Sequence, residues 1–134
     1  TVGYPLQAIL IPKTIDNDLA GTDTCPGFGS VAKYIAVSTR EVSFDVRSMS
    51  RSSTKVFVFE VMGRHAGWIA AAGALAADES HDFPIAIVFP EIAFDNTRLV
   101  AKVRALVDRY GYCTVVVSEG SKLADGRFLA EQGT

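Results

Sequence analysis

Ala8-Ile9-Leu10-Ile11-Pro12-Lys13-Thr14-Ile15-Asp16-Asn17-Asp18 changes character half-way along. Its first half is an apolar run, which predicts a buried strand over Gln7–Pro12. Its second half sets an ammonium, a hydroxyl and two carboxylates close together. Ligands of open α/β sheets collect beyond the carboxyl ends of the strands. A strand that stops at a proline and then presents Lys, Thr, Asp, Asn and Asp has the form of such a site. Asp16 and Asp18 are two apart, so an extended chain points both to one side. Two neighbouring carboxylates repel unless a cation, a proton or a hydrogen-bond donor lies between them. Lys13 or a Mg²⁺ ion fills that place. Phosphoryl transfer uses these parts, a carboxylate for the acceptor proton and cations for the phosphate oxygens. The same spacing also fits a polar loop whose Asp and Asn side chains form turns.

Working outward, the apolar stretches alternate between two periods. From Phe28 the positions Val31, Ile35, Val42, Val46 and Met49 predict a helix with one buried face, missing one contact near Thr39. Thr22, Asp23 and Thr24 precede it as candidate caps. Lys55–Val61 reads as a second strand, apolar on both faces as in a covered parallel sheet. Ile69–Ala77 is Ala-rich and predicts a helix able to pack close to the sheet. Pro84–Phe89 is a third strand. Asp95 or Asn96 caps a helix whose stripe is Leu99, Val100, Val103, Leu106, Val107 and Tyr110, stopped by Gly111. Cys113–Val117 is a fourth strand, and no element is evident from Ser121 onward. Strand–helix alternation predicts an α/β fold, a three-layer, mainly parallel sheet with helices on both faces.

The chain has 134 residues, 49% of them hydrophobic, and a formal net charge of −2. Such a balance gives nucleic acid or a membrane no bulk electrostatic attraction, and no run is long enough to span a bilayer. Two cysteines, Cys25 and Cys113, do not make a disulfide framework or a zinc site. They fit reduced thiols in a cytoplasmic protein. The missing initiator methionine and abrupt end read as a fragment of a longer protein.

Three strands run into polar residues: Lys13–Asp18, Gly63–His65 and Ser118–Glu119. Met62-Gly63-Arg64 is a strand-to-helix turn. There a glycine admits close approach and a guanidinium with a helix N-terminus favours phosphate. Taken singly, the tripeptide also fits an ordinary turn, His65 a structural residue, Glu119 a solvated carboxylate, Lys55 a solvated strand start and Trp68 a core or interface residue.

Taken together the motifs are more specific. Lys13-Thr14-Ile15-Asp16-Asn17-Asp18-Leu19, then Gly21-Thr22-Asp23, then Glu60-Val61-Met62-Gly63-Arg64, then Ser118-Glu119-Gly120 resemble the phosphofructokinase family in order and spacing, over nearly the whole chain. The Pro12–Asp18 form, followed by Cys25-Pro26-Gly27-Phe28-Gly29-Ser30, looks most like the pyrophosphate-dependent branch.

The resemblance implies a Rossmann-like fold and a phosphotransferase of glycolysis or gluconeogenesis. It would move a phosphoryl group from pyrophosphate to the 1-hydroxyl of fructose 6-phosphate with Mg²⁺. Asp16 would take the proton from that hydroxyl, and Thr14 and Ile15 would line the transfer site. Asp18 would sit near Mg²⁺ through water. Met62, Gly63 and Arg64 would hold the sugar phosphate, with Arg64 also facing transition-state charge, and Glu119 would bind sugar hydroxyls. Lys55 would reach a neighbouring subunit's sugar phosphate, implying a homo-oligomer. Lys13 would neutralise pyrophosphate oxygens, although some ATP-using relatives carry it too. Residues 1–28 would close the donor-phosphate domain and residues 29–134 belong to an incomplete sugar-phosphate domain, so the chain alone is expected to be inactive. The rival readings are an ATP-dependent 6-phosphofructokinase and a silent sugar-phosphate-binding regulatory module.

Overall fold

Three of the four apolar runs form one parallel sheet. The computed structural model describes residues 3–78 and 81–133, and Thr1, Val2 and Thr134, the outer bounds of the expected domains, lie outside them. Helix α1 spans Phe28–Met49, strand β1 Val56–Val61, helix α2 Trp68–Ala72, strand β2 Ile85–Val88, helix α3 Asn96–Tyr110 and strand β3 Cys113–Ser118. The strand order is β1-β3-β2, all parallel, with Val61 opposite Ser118 and Val88 opposite Val117.

Alternation along each strand splits the core between two faces. One face carries Phe59, Val61, Val116, Ile85 and Ile87 against Ile35 of α1 and Ile69, Ala70 and Ala72 of α2. The other carries Ala86, Cys113 and Val115 against Leu99, Val103, Leu106 and Val107 of α3. This is the expected three-layer α/β arrangement. The small residues of α2 do let it approach closely: a Cβ on Gly73 would lie 2.9 Å from Val116 Cγ2. The run predicted as one helix to Ala77 tightens into a 3₁₀ turn at Gly73–Ala76.

The expected strand over Gln7–Pro12 does not form. Those residues make no ladder among the described residues, and Ile9 is 92% and Leu10 90% exposed. A strand is completed by a neighbour, and none of the three paired strands lies beside it. Its apolar character carries no information about which partner it would need.

Two details of the helices also differ. No side chain caps α1; its N-cap is Gly27 at φ +90°, so Thr22, Asp23 and Thr24 are not caps. A Cys25–Phe28 turn intervenes, with the Phe28 N–H donating to the Cys25 carbonyl. Thr39 is not a gap in the buried face, because it is fully buried. Its hydroxyl has no hydrogen-bond partner among the described residues, whereas the Ser43 and Thr114 hydroxyls lie 2.8 Å apart. Asp95 caps α3 by accepting from the Arg98 N–H at 3.0 Å, and Gly111 ends it at φ +87°. After β3 the chain adds a 3₁₀ turn at Leu129–Gly133, which the sequence pattern does not show.

Candidate active site

The parallel register brings the carboxyl ends of β1, β3 and β2 to one rim. Three hydrogen bonds tie the turn after β1 to the turn after β3, and a fourth closes the β3 turn itself. The Glu119 N–H donates to the Val61 carbonyl at 2.8 Å, and Glu119 Oε1 accepts from the Gly63 N–H at 3.4 Å. The Ser118 hydroxyl donates to the Gly63 carbonyl and accepts from the Gly120 N–H at 3.3 Å. Gly63 sits at φ +127°, a backbone that side chains disfavour, and a methyl on Gly120 would run into the Arg64 carbonyl. These glycines let the two turns touch and leave Met62, Arg64 and Glu119 exposed at the rim.

The end of β2 contributes a second tie. Glu91 Oε1 accepts from the Gly67 N–H at 2.7 Å, at the entry to α2. Glu91 and Glu119 therefore play parallel parts, each following a strand and each accepting from the β1–α2 turn. Sequence reasoning singled out Glu119 alone. The signal for Glu91 was its place just beyond β2, after Pro90.

The loop after Pro12 joins this rim through Ile15, which packs against the cluster holding Val61 and Ile69. Asn17, Asp18 and Asp23 then line a cleft of about 590 Å³ with His65, Ala66 and Trp68. Thr14, Ile15 and Asp16 are half-buried, whereas Lys13 and Asp18 are exposed. The Thr14 hydroxyl accepts from the Asp16 N–H at 3.1 Å. Asp16 Oδ1 is buried without a hydrogen-bond partner. A buried carboxylate oxygen normally has a partner, so this one stands out among the polar atoms of the loop, although Asp16 itself does not line the cleft.

Asp16 and Asp18 do not share a side as an extended chain would have them. Asn17 between them adopts φ +58°, which breaks the alternation. One carboxylate faces inward and the other solvent. Lys55 is also apart from the rest, preceding β1 at the end opposite the rim, about 20 Å from Val61 at strand rise per residue. Trp68 is 55% exposed at the cleft rather than core. Among the described residues no three His, Cys, Asp or Glu side chains are grouped to hold a metal ion. A cation here would take most of its ligands from a bound phosphate and water, the usual habit of Mg²⁺.

A family model described as Phosphofructokinase matches residues 3–133. The chain belongs to the phosphofructokinase family. Within that family it is 66% identical, over 99% of its length, to a pyrophosphate--fructose 6-phosphate 1-phosphotransferase of Methylococcus capsulatus, and covers 32% of that protein. It is 40% identical, over 97% of its length, to an ATP-dependent 6-phosphofructokinase of Chloroflexus aurantiacus, covering 34% of it. The crystal structure of a pyrophosphate-dependent phosphofructokinase from Nitrosospira multiformis superposes with TM-score 0.88 at 67% identity, covering 93% of this chain and 32% of that one. The chain thus spans about a third of the length of such relatives. Among its described residues no helix is long and apolar enough to cross a membrane.

Proposed function

We propose that the full-length protein transfers a phosphoryl group from pyrophosphate to the 1-hydroxyl of fructose 6-phosphate. The observation that carries this reading is Asp16. Its Oδ1 is buried and unpartnered in a loop packed beside the β1 end. Asp16 takes the proton of the sugar 1-hydroxyl as that oxygen attacks one phosphorus of pyrophosphate, the bridging P–O bond breaks and inorganic phosphate leaves. Thr14 and Ile15 border the transferring group. Met62, Gly63 and Arg64 hold the sugar 6-phosphate, Arg64 also meeting transition-state charge, and Glu119 accepts from sugar hydroxyls. Mg²⁺, bound by donor phosphate oxygens and through water by exposed Asp18, would neutralise charge on the phosphates.

The donor reading rests on Lys13, a compact cation suited to pyrophosphate oxygens, and on the 66% identical relative named for that donor. The more distant relative named for ATP makes ATP the alternative donor. A silent regulatory module has no need of Asp16 and Arg64 together. Residues 1–28 close the donor-phosphate domain and 29–134 belong to the sugar-phosphate domain. The protein works as a cytoplasmic homo-oligomer; exposed Lys55, far from its own rim, is free to meet a neighbouring subunit, and the free thiols of Cys25 and Cys113 suit a reducing compartment.

The test is turnover of fructose 6-phosphate by the full-length protein with pyrophosphate and with ATP in parallel. Pyrophosphate is expected to be the better donor, and Asp16→Asn to lower kcat by about 10²–10⁴ with little change in KM. Turnover with neither donor, or an active Asp16→Asn protein, overturns the reading.

A further inference from the structure

Asn17 lies between the two acidic residues of the loop and has no part in the chemistry above. Its backbone is left-handed at φ +58°. Asn and Asp tolerate that region better than other side-chain-bearing residues. Both ends of its carboxamide are used. Oδ1 accepts from the Cys25 N–H at 2.8 Å, and Nδ2 donates to the Asp23 carbonyl at 3.2 Å. These bonds close residues 17–25 into a ring, turned in its middle by the Thr22 N–H donating to the Leu19 carbonyl. The far side of the ring is anchored, since Cys25 is buried and its carbonyl accepts from Phe28, the first residue of α1.

Asp16 is therefore held from both flanks. Ile15 is fixed by packing against the core cluster that holds Val61 and Ile69, and Asn17 by the ring. Asp16 Oδ1 has no partner at its own tip, so nothing at the carboxylate fixes its aim. Its direction is set by the backbone on either side. Glycine at position 17 would supply the dihedral without the tether. Aspartate would accept from Cys25 but could not donate to Asp23, and would add a third negative charge.

We propose that Asn17 is a positioning residue whose carboxamide aims Asp16 at the acceptor hydroxyl. This rests on the phosphotransferase reading above. The test uses the full-length protein and Asn17→Gly, which keeps the left-handed backbone free of strain. The expected result is a kcat lower by about ten- to a hundredfold, as for a base displaced by a fraction of an ångström, with KM for fructose 6-phosphate within about threefold. Hydrogen exchange at the Cys25 amide, now without its acceptor, should quicken at least about tenfold. Should Asn17→Gly fail to fold, Asn17→Asp serves. It keeps the Cys25 acceptor, so Cys25 exchange should stay slow while kcat still falls and KM holds. A kcat within about twofold of the parent, or a matched loss in kcat and rise in KM, overturns the proposal. So does unchanged Cys25 exchange in Asn17→Gly. A parent that turns over neither donor fails the functional reading itself; an active parent with an indifferent Asn17→Gly fails the strut alone.

Discussion

Gly63→Ala strikes the joint on which the rim depends. Two separate costs are readable at this position. The backbone lies at φ +127°, where a side chain brings strain of about 1–3 kcal/mol. The added Cβ would also lie 2.5 Å from the Ala66 carbonyl oxygen, against a closest tolerable approach of 3.0 Å, so the turn must open by 0.5 Å. Overpacking of that kind adds about 1–3 kcal/mol. The sum is about 2–6 kcal/mol, most of it borne by the β1–α2 turn. Movement there pulls the Gly63 N–H from Glu119 and its carbonyl from Ser118, and carries Arg64 with it. A half-ångström shift of a binding group should cost roughly tenfold or more in kcat/KM, mainly through KM for fructose 6-phosphate. Thermal melting and steady-state kinetics of the full-length protein read both effects. Gly29→Ala is the control, because its φ is ordinary and nothing lies within 4 Å of the new Cβ. It sits in the first turn of α1 and should gain up to about 1 kcal/mol without altering kinetics. A Gly63→Ala protein as stable as its parent, with KM unchanged, would refute the argument that this turn is strained to serve the rim.

Other outcomes follow from the core. Ser43→Ala should cost about 1–3 kcal/mol by stranding the buried Thr114 hydroxyl, and Ser43→Ala with Thr114→Val should recover most of it in denaturant titrations. Asp95→Ala removes the α3 cap and should cost about 0.5–2 kcal/mol, with Asp95→Asn nearly neutral. Burial pushes the Cys113 thiol from 9.0 up to about 11. The folded state then holds a proton that the unfolded state releases above pH 9. Stability from this group is whole below pH 9 and is lost as pH rises toward 11, by up to about 2–3 kcal/mol. Cys113→Ser should flatten that decline in melts run from pH 8 to pH 11; an unchanged slope contradicts it.

The helices and paired strands were legible because their signals are local. The stripe of Leu99, Val103, Leu106 and Val107 repeats at helical spacing, and Asp95 and Gly111 bracket it with a cap and a stop. β3 is apolar on both faces because helices cover both, whereas the expected cover of β1 is one-sided: Val58, on its other face, is 61% exposed. The place of the rim was legible too, since polar residues follow β1 and β3 and parallel strands end together.

What was not legible depends on neighbours distant in sequence. Gln7–Pro12 is as apolar as β2, yet only β2 finds an edge of β3 to pair with. Nothing in Ser43 announces a buried polar pair, because its partner Thr114 stands across the interface, 71 residues away. Asp16 and Asp18 part company through the left-handed turn of Asn17, which the Cys25 and Asp23 backbone stabilises from eight and six residues away. Periodicity records which side of an element is apolar, and the residues after each strand record what chemistry is on offer. Which carboxylate is buried, which turn is braced and which strand is paired are settled by packing and hydrogen bonds between segments, whose energies depend on a partner that local sequence does not name.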